Sequence, residues 1–247
     1  MRVTTTHQLY TARLPNGGAA VMDVRSGRGQ WQHLNSTAAL LWNQVIEGAD
    51  LSKAANRLTA TLAAQGAEEA VVRADLAALV SHLRALGLLA ASPAPAPDPA
   101  PMHVREVLPA HTRLSLPDRA AGLLALATAL FLLRCTPIRA AIAAARLVAR
   151  LPLRPAAPER ADQLFAAVRR VRSAWPGRAA CLEESLACSF AAALRGRAVT
   201  WVIGARTAPA GAHAWNETHG NQVIGQDPED RIWPYAPALR VRHGRNK

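Results

Sequence analysis

Cysteine is scarce in this chain. Cys135, Cys181 and Cys188 are too few, and odd in number, for a disulfide framework. No CxxC occurs, and a helix running from Cys181 would hold Cys188 two turns away, about 10 Å. That distance excludes a shared zinc ion and a disulfide. The phosphate-loop pattern GxxxxGK with Ser or Thr and the dinucleotide pattern GxGxxG are both absent, so no cofactor and no metal are expected. Aromatics make up only 4% while half the residues are hydrophobic, so Ala and Leu supply the apolar surface. That composition favours helices over a large sandwich. The longest apolar run, Ala120–Leu133, has 14 residues. It is short for an integral membrane span and suits a buried helix, with an interfacial helix as the alternative. The opening MRVTTTHQLYTARLPNGG carries no apolar signal core, and with the cysteine usage it leads to an expected cytoplasmic location.

With 247 residues the chain has enough length for two cores. Its net charge of +12 is uneven: residues 1–90 hold 8 basic and 6 acidic residues, residues 91–247 hold 21 and 11. A basic second part attracts nucleic acid, anionic membrane or acidic peptide. Almost all of the excess is Arg in an Ala/Arg-rich chain, which composition alone explains, and no nucleic-acid partner is expected.

Ser92–Pro101, SPAPAPDPAP, has five prolines in ten positions and reads as a semi-rigid linker. The expected division is a first domain over 1–90, a Pro-rich linker over 91–112 and a second domain over 113–247. The first domain shows strand patterns at Gly18–Arg25 and Gln30–Leu34, separated by SGRG. Three helical patterns follow. The first begins after Asn35-Ser36 and buries Leu41, Trp42, Val45 and Ile46. The second spans about Leu51–Gln65. The third runs from about Glu68 to Leu86 with one apolar face that includes Val72, Leu76, Leu79, Val80 and Leu83. The second domain starts with helices over about Leu116–Arg134, Pro137–Arg150 and Glu159–Ala174. Strand patterns follow at Ala198–Ala205, Ala212–Thr218 and Gln222–Gln226. The fold class is therefore α+β in both domains, each a small antiparallel sheet with helices.

One segment carries chemistry. In PGRAACLEESLACSFAAALRGR, Pro176-Gly177 marks a loop and Gly196 a stop, so Cys181 opens a helix. Unpaired N–H groups and the positive dipole end at that position stabilise a thiolate. Glu183 and Glu184 fall in the first turn, oppose the thiolate, and are expected to point outward. Cys188, two turns down the helix, and Cys135, at the end of an apolar helix, read as packing. His213 lies on a strand pattern, and Asp227 follows the next one. A turn at His219-Gly220 would bring Asp227 beside His213, with Asp230 and Glu217 as substitutes. The order is then nucleophile, base and orienting carboxylate.

The run Cys181-Leu182-x-x-Ser185-Leu186-Ala187, followed by Ile203-Gly204-x-Arg206, Ala212-His213-Ala214-Trp215, Gly220, Val223 and Asp227, resembles the lasso-peptide B protein family. These are leader peptidases with a papain/transglutaminase-like core. The resemblance covers most of Trp175–Ala238 and implies Cys181, His213 and Asp227 as the catalytic triad. Many members read HAWVE where this chain has HAWNE, which places Asn216 near the pocket. The first 90 residues resemble the PqqD-like recognition element, a winged-helix-like domain, through the strand segments, LNSTAALLW, the turn at Gly48–Leu51 and the third helix. That family binds a leader peptide as an added strand between its third strand and third helix. The resemblance makes Trp31, Val72, Leu76 and Leu79 candidate leader contacts, although Leu76 and Leu79 also suit an ordinary core. It further implies two partners, a lasso precursor peptide and an asparagine-synthetase-like cyclase. The residues themselves leave room for a transglutaminase-like amidotransferase and for a non-catalytic peptide-binding scaffold.

Overall fold

The computed structural model describes residues 8–90, 93–94, 96–97, 103–104, 114–175, 177, 179–225 and 235–243. The chain opens with a three-stranded antiparallel sheet, β1 (Leu9–Arg13), β2 (Ala19–Asp23) and β3 (Gln30–Leu34), in that order. Three helices follow: α1 (Ser36–Ile46), α2 (Leu51–Ala64) and α3 (Glu69–Ala85). The starts of α1 and α2 are capped as their sequences require. Asn35 Oδ1 accepts the Ala38 N–H at 2.9 Å, and Asp50 Oδ1 accepts the Lys53 N–H at 2.9 Å. At the far end of α3, Arg25 donates to the carbonyls of Leu86 and Gly87, both at 2.8 Å, and so ties the sheet to the helix C-terminus. Of the residues expected to be buried on α1, Leu41 and Trp42 are, whereas Val45 and Ile46 are only half-buried.

The period of two in this sheet separates two cores. Leu9, Ala19, Val21 and Leu34 face α1 and α3, with Trp42 and Leu83. Tyr10, Ala12, Leu14, Ala20 and Met22 face the other way and join the core of the second domain. Strand β1 does not show in the sequence patterns, and with it the second apolar face of the sheet goes unseen. Helices α1 and α3 cover one face, with α2 packed on them, and the second domain covers the other. The Pro-rich stretch also touches the sheet: Pro93 bridges Leu9, and the Ala94 N–H donates to the Leu9 carbonyl at 2.8 Å.

The second domain packs helices on a mixed sheet. The helices are α4 (Leu116–Cys135), α5 (Ile138–Ala149), α6 (Pro158–Ser173) and α7 (Cys181–Leu194). The sheet has the order β10-β7-β8-β9-β4, with β7 (Thr200–Thr207), β8 (Ala210–Glu217), β9 (Gln222–Ile224), β10 (Ala236–Val241) and β4 (His103–Val104). The antiparallel pairs β7–β8 and β8–β9 follow the expected strands; β10 beside β7 was not foreseen, and the short β4 adds a parallel pair with β9. A separate parallel pair joins β5 (Arg154–Pro155) to β6 (Arg197–Ala198). Helix α7 lies against β7 and β8, where Trp201 Nε1 donates to Ser185 Oγ at 3.0 Å and Asn216 Nδ2 to Ser189 Oγ at 2.8 Å. Cys135 is exposed, contrary to the packing role expected of it, because it sits past the last turn that α4 buries.

Candidate active site

Cys181 is the first residue of α7 and is half-buried. Ala180 precedes it and has no side-chain acceptor to cap the helix. Glu183 reaches back instead and accepts the Ala180 N–H at 3.0 Å. Cys181 and His213 line one cleft of about 130 Å³, together with Phe165, Arg169, Glu184 and Trp215. The backbone N–H of Ala214, the residue after His213, faces the Cys181 sulfur and favours its ionised form. The helix start and strand β8 therefore meet at the thiol.

The expected thiolate stabilisation is outweighed. Burial pushes the Cys181 thiol above its ordinary range, and the Glu183 carboxylate adds to the rise. The N–H groups of Ala214, Leu182 and Cys181 itself oppose it. The N–H groups at the helix start do not outweigh burial at this sulfur. The acidic pair is also placed otherwise than expected. Glu183 and Glu184 point inward and are 8% and 6% exposed. They are kept there by partners. Glu183 has the cap bond and Arg28 at 3.6 Å, and Glu184 has Arg169 at 3.0 Å and Arg172 at 3.7 Å. Repulsion from a thiolate is the local reason to turn them outward; the arginines of α6 and of the first domain, distant in sequence, turn them inward.

His213 sits in an aromatic stack. Its ring lies 5.0 Å from Tyr235 and 6.0 Å from Trp215, and Arg206 stands 4.5 Å over the other ring, that of Tyr235. Tyr235 is absent from the sequence-based candidates; its place in this stack depends on β10 lying beside β7, which no local pattern reveals. Two glycines make the close packing possible. At Gly204, opposite His213 in the β7–β8 register, a Cβ would stand 2.3 Å from the Ala236 carbonyl oxygen and 2.7 Å from Trp215. At Gly225, with φ +64°, a Cβ would overlap the Phe165 ring.

Glu217 is buried and engaged elsewhere, accepting from Trp215 Nε1 at 3.0 Å and from Arg240 at 3.3 Å. Asn216 points to Ser189 on α7. Asp227 and Asp230 lie outside the described residues. Cys188 is buried among Leu164, Phe165 and Val199, a packing residue whose thiol burial pushes far up. The four expected leader contacts do not form one group. Leu76 is core, packed with Leu41, Ala54 and Leu58, and Val72 and Leu79 flank that cluster half-buried. Trp31 lies on the opposite face of the sheet from α3, paired with Met22 and packed against the second domain. The period of two in β3 dictates this: Gln32 and Leu34 face the helices, Trp31 and His33 do not.

Helix-start Cys181 and strand-borne His213 line one cleft, and residues 122–240 match the model of the transglutaminase-like superfamily, a cysteine-protease-like fold. Residues 18–89 match that of coenzyme PQQ synthesis protein D (PqqD). The chain is thus a PqqD-like domain fused to a transglutaminase-like domain, the architecture that its resemblance to the lasso-peptide B proteins implies. No curated protein and no solved structure matches it.

Proposed function

We propose that the protein is a leader peptidase of lasso-peptide biosynthesis, holding a precursor's leader on the PqqD-like domain and cutting it from the core at Cys181. One observation carries this reading most. The β2–β3 loop touches the active-site helix through Arg28 and Glu183, so strand β3 begins beside the Cys181 cleft. Among the described residues no strand pairs with the outer edge of β3. Its free backbone groups suit an added peptide strand. Such a peptide, running antiparallel to β3, carries its C-terminal end towards Cys181. Val72 and Leu79, half-buried, remain the candidate side-chain contacts on the helix side.

In the cleavage step His213 takes the Cys181 proton as the sulfur attacks the scissile carbonyl. Backbone N–H groups at the start of α7 stabilise the oxyanion. His213 then protonates the leaving amine of the core, and water hydrolyses the thioester to release the leader with a free carboxylate. Asp227 is the proposed orienting carboxylate. The freed core amine is the substrate that an asparagine-synthetase-like cyclase would acylate. The test is mass spectrometry of the precursor peptide after incubation with the protein. A leader fragment ending in a free carboxylate is expected, and Cys181→Ala should reduce its formation at least about 10³-fold. Undiminished cleavage by that variant would remove Cys181 from the mechanism. An amide-linked leader product would make the protein an amidotransferase.

A further inference from the structure

Helix α4 has two unlike faces. One buries Ala121, Ala125, Leu126, Ala129, Leu130 and Leu133 in the protein core. The other leaves Leu116 77%, Leu123 58%, Leu124 57% and Phe131 62% exposed. At about 100° per residue these four fall within an arc of roughly 100°, so they form one strip along the helix. An exposed apolar strip of this kind marks a contact surface.

Charge selects the occupant. From residue 114 to 157 the chain has six arginines and a single acidic residue, Asp118. Asp118 is buried and held by Arg160 at 2.9 Å and Arg195 at 3.0 Å, so it offers no negative charge to the surface. Arg119 flanks the strip, and α5 exposes Arg139 and Leu147, with Arg150 exposed at its C-cap. Exposed leucines and arginines on α4 and α5, with no exposed carboxylate on either helix, complement acyl chains beneath anionic headgroups. We infer that α4 and α5 dock the protein on an anionic lipid surface. The helix lies in the interfacial plane. By length and composition α4 is apolar enough to cross a bilayer, but one of its faces is committed to α6 and α7. The strip enters the headgroup–acyl boundary while the guanidinium groups stay at the level of the phosphates.

The test is cosedimentation of the full chain with phosphatidylcholine vesicles, pure or containing about 30% phosphatidylglycerol, near the anionic content to which such surfaces respond. Binding is expected only to the anionic vesicles. Because a net charge of +12 attracts any anionic surface, the deciding variant is the charge-neutral Leu123→Gln/Leu124→Gln. It should weaken binding about tenfold or more while leaving the thermal unfolding curve in place. Arg139→Gln/Arg150→Gln should weaken it by a similar factor. Three results would overturn the inference: no vesicle binding, anionic binding unchanged by the leucine variant, or a dimer in sedimentation equilibrium that the leucine variant abolishes without any vesicle binding. The last would assign the strip to a second copy of the chain.

Discussion

At Cys181 the two influences on a helix-start thiol oppose each other. The N–H groups of Ala214 and the first turn favour the thiolate; burial and Glu183 favour the thiol, and they prevail. A raised thiol pKa means that the nucleophilic form grows as pH rises. Alkylation of Cys181 by iodoacetamide should therefore keep accelerating beyond about pH 8.5, where a free cysteine is half ionised. The measurement belongs in a Cys135→Ser background, because Cys135 is exposed and reacts, whereas Cys188 is fully buried. A rate that levels off below about pH 7 would instead show a preformed thiolate–imidazolium pair. The position of Cys181 on the helix was legible from Pro176-Gly177 and the helical pattern after it. Its ionisation was not, because burial and the inward turn of Glu183 depend on Arg28 and on β8.

Among the helices, α4 depends on one carboxylate. Asp118 lies in its first turn, bonded to Ser115 at 2.7 Å, and it joins α4 to α6 through Arg160 and to the end of α7 through Arg195. Arg160 is the main cause that holds this carboxyl far below the ordinary range, with Ser115 and Arg195 assisting. A depressed folded-state pKa contributes stability that is present above the unfolded value of about 3.9 and lost as pH falls through the folded one. Asp118→Asn should therefore lower unfolding stability by about 2 kcal/mol at neutral pH, less than a fully buried pair would lose because both arginines are partly exposed. The deficit should shrink in melts taken below about pH 3. The helix itself was readable, since Ser115, Pro117 and Asp118 form a familiar start. The link between three helices was not, since Arg160 and Arg195 lie 42 and 77 residues away.

Across the whole molecule, the first sheet and the second domain share a core. Tyr10 and Met22 of the first sheet pack with Leu126, Ile142, Trp201 and Val241 of the second domain. Arg146 of α5 donates to the Tyr10 hydroxyl at 2.9 Å, and the Ile138 N–H to the Gly27 carbonyl at 3.0 Å. A seam of this kind couples the two unfolding reactions. Calorimetry should show one transition, and Met22→Ala should cost about 3 kcal/mol and lower it as a single peak. Two separated peaks, with only one moved by the variant, would show that the domains unfold independently.

The sequence by itself determined the helices, the strands β2, β3, β7, β8 and β9, and their order. Helix periodicity, the caps at Asn35 and Asp50, and the loop before Cys181 are local, and local propensity acts over a few residues. It also determined which residues could do chemistry, because Cys181 and His213 carry it wherever they lie. Only the tertiary structure decided what those residues meet. It placed the Ala214 N–H at the sulfur, stacked Tyr235 on His213 and turned Glu183 inward to Arg28. It put Trp31 on the face of the sheet away from α3 and closed that face with the second domain. These contacts join residues tens to hundreds of positions apart, and their energy comes from burial that exists only once the layers are packed.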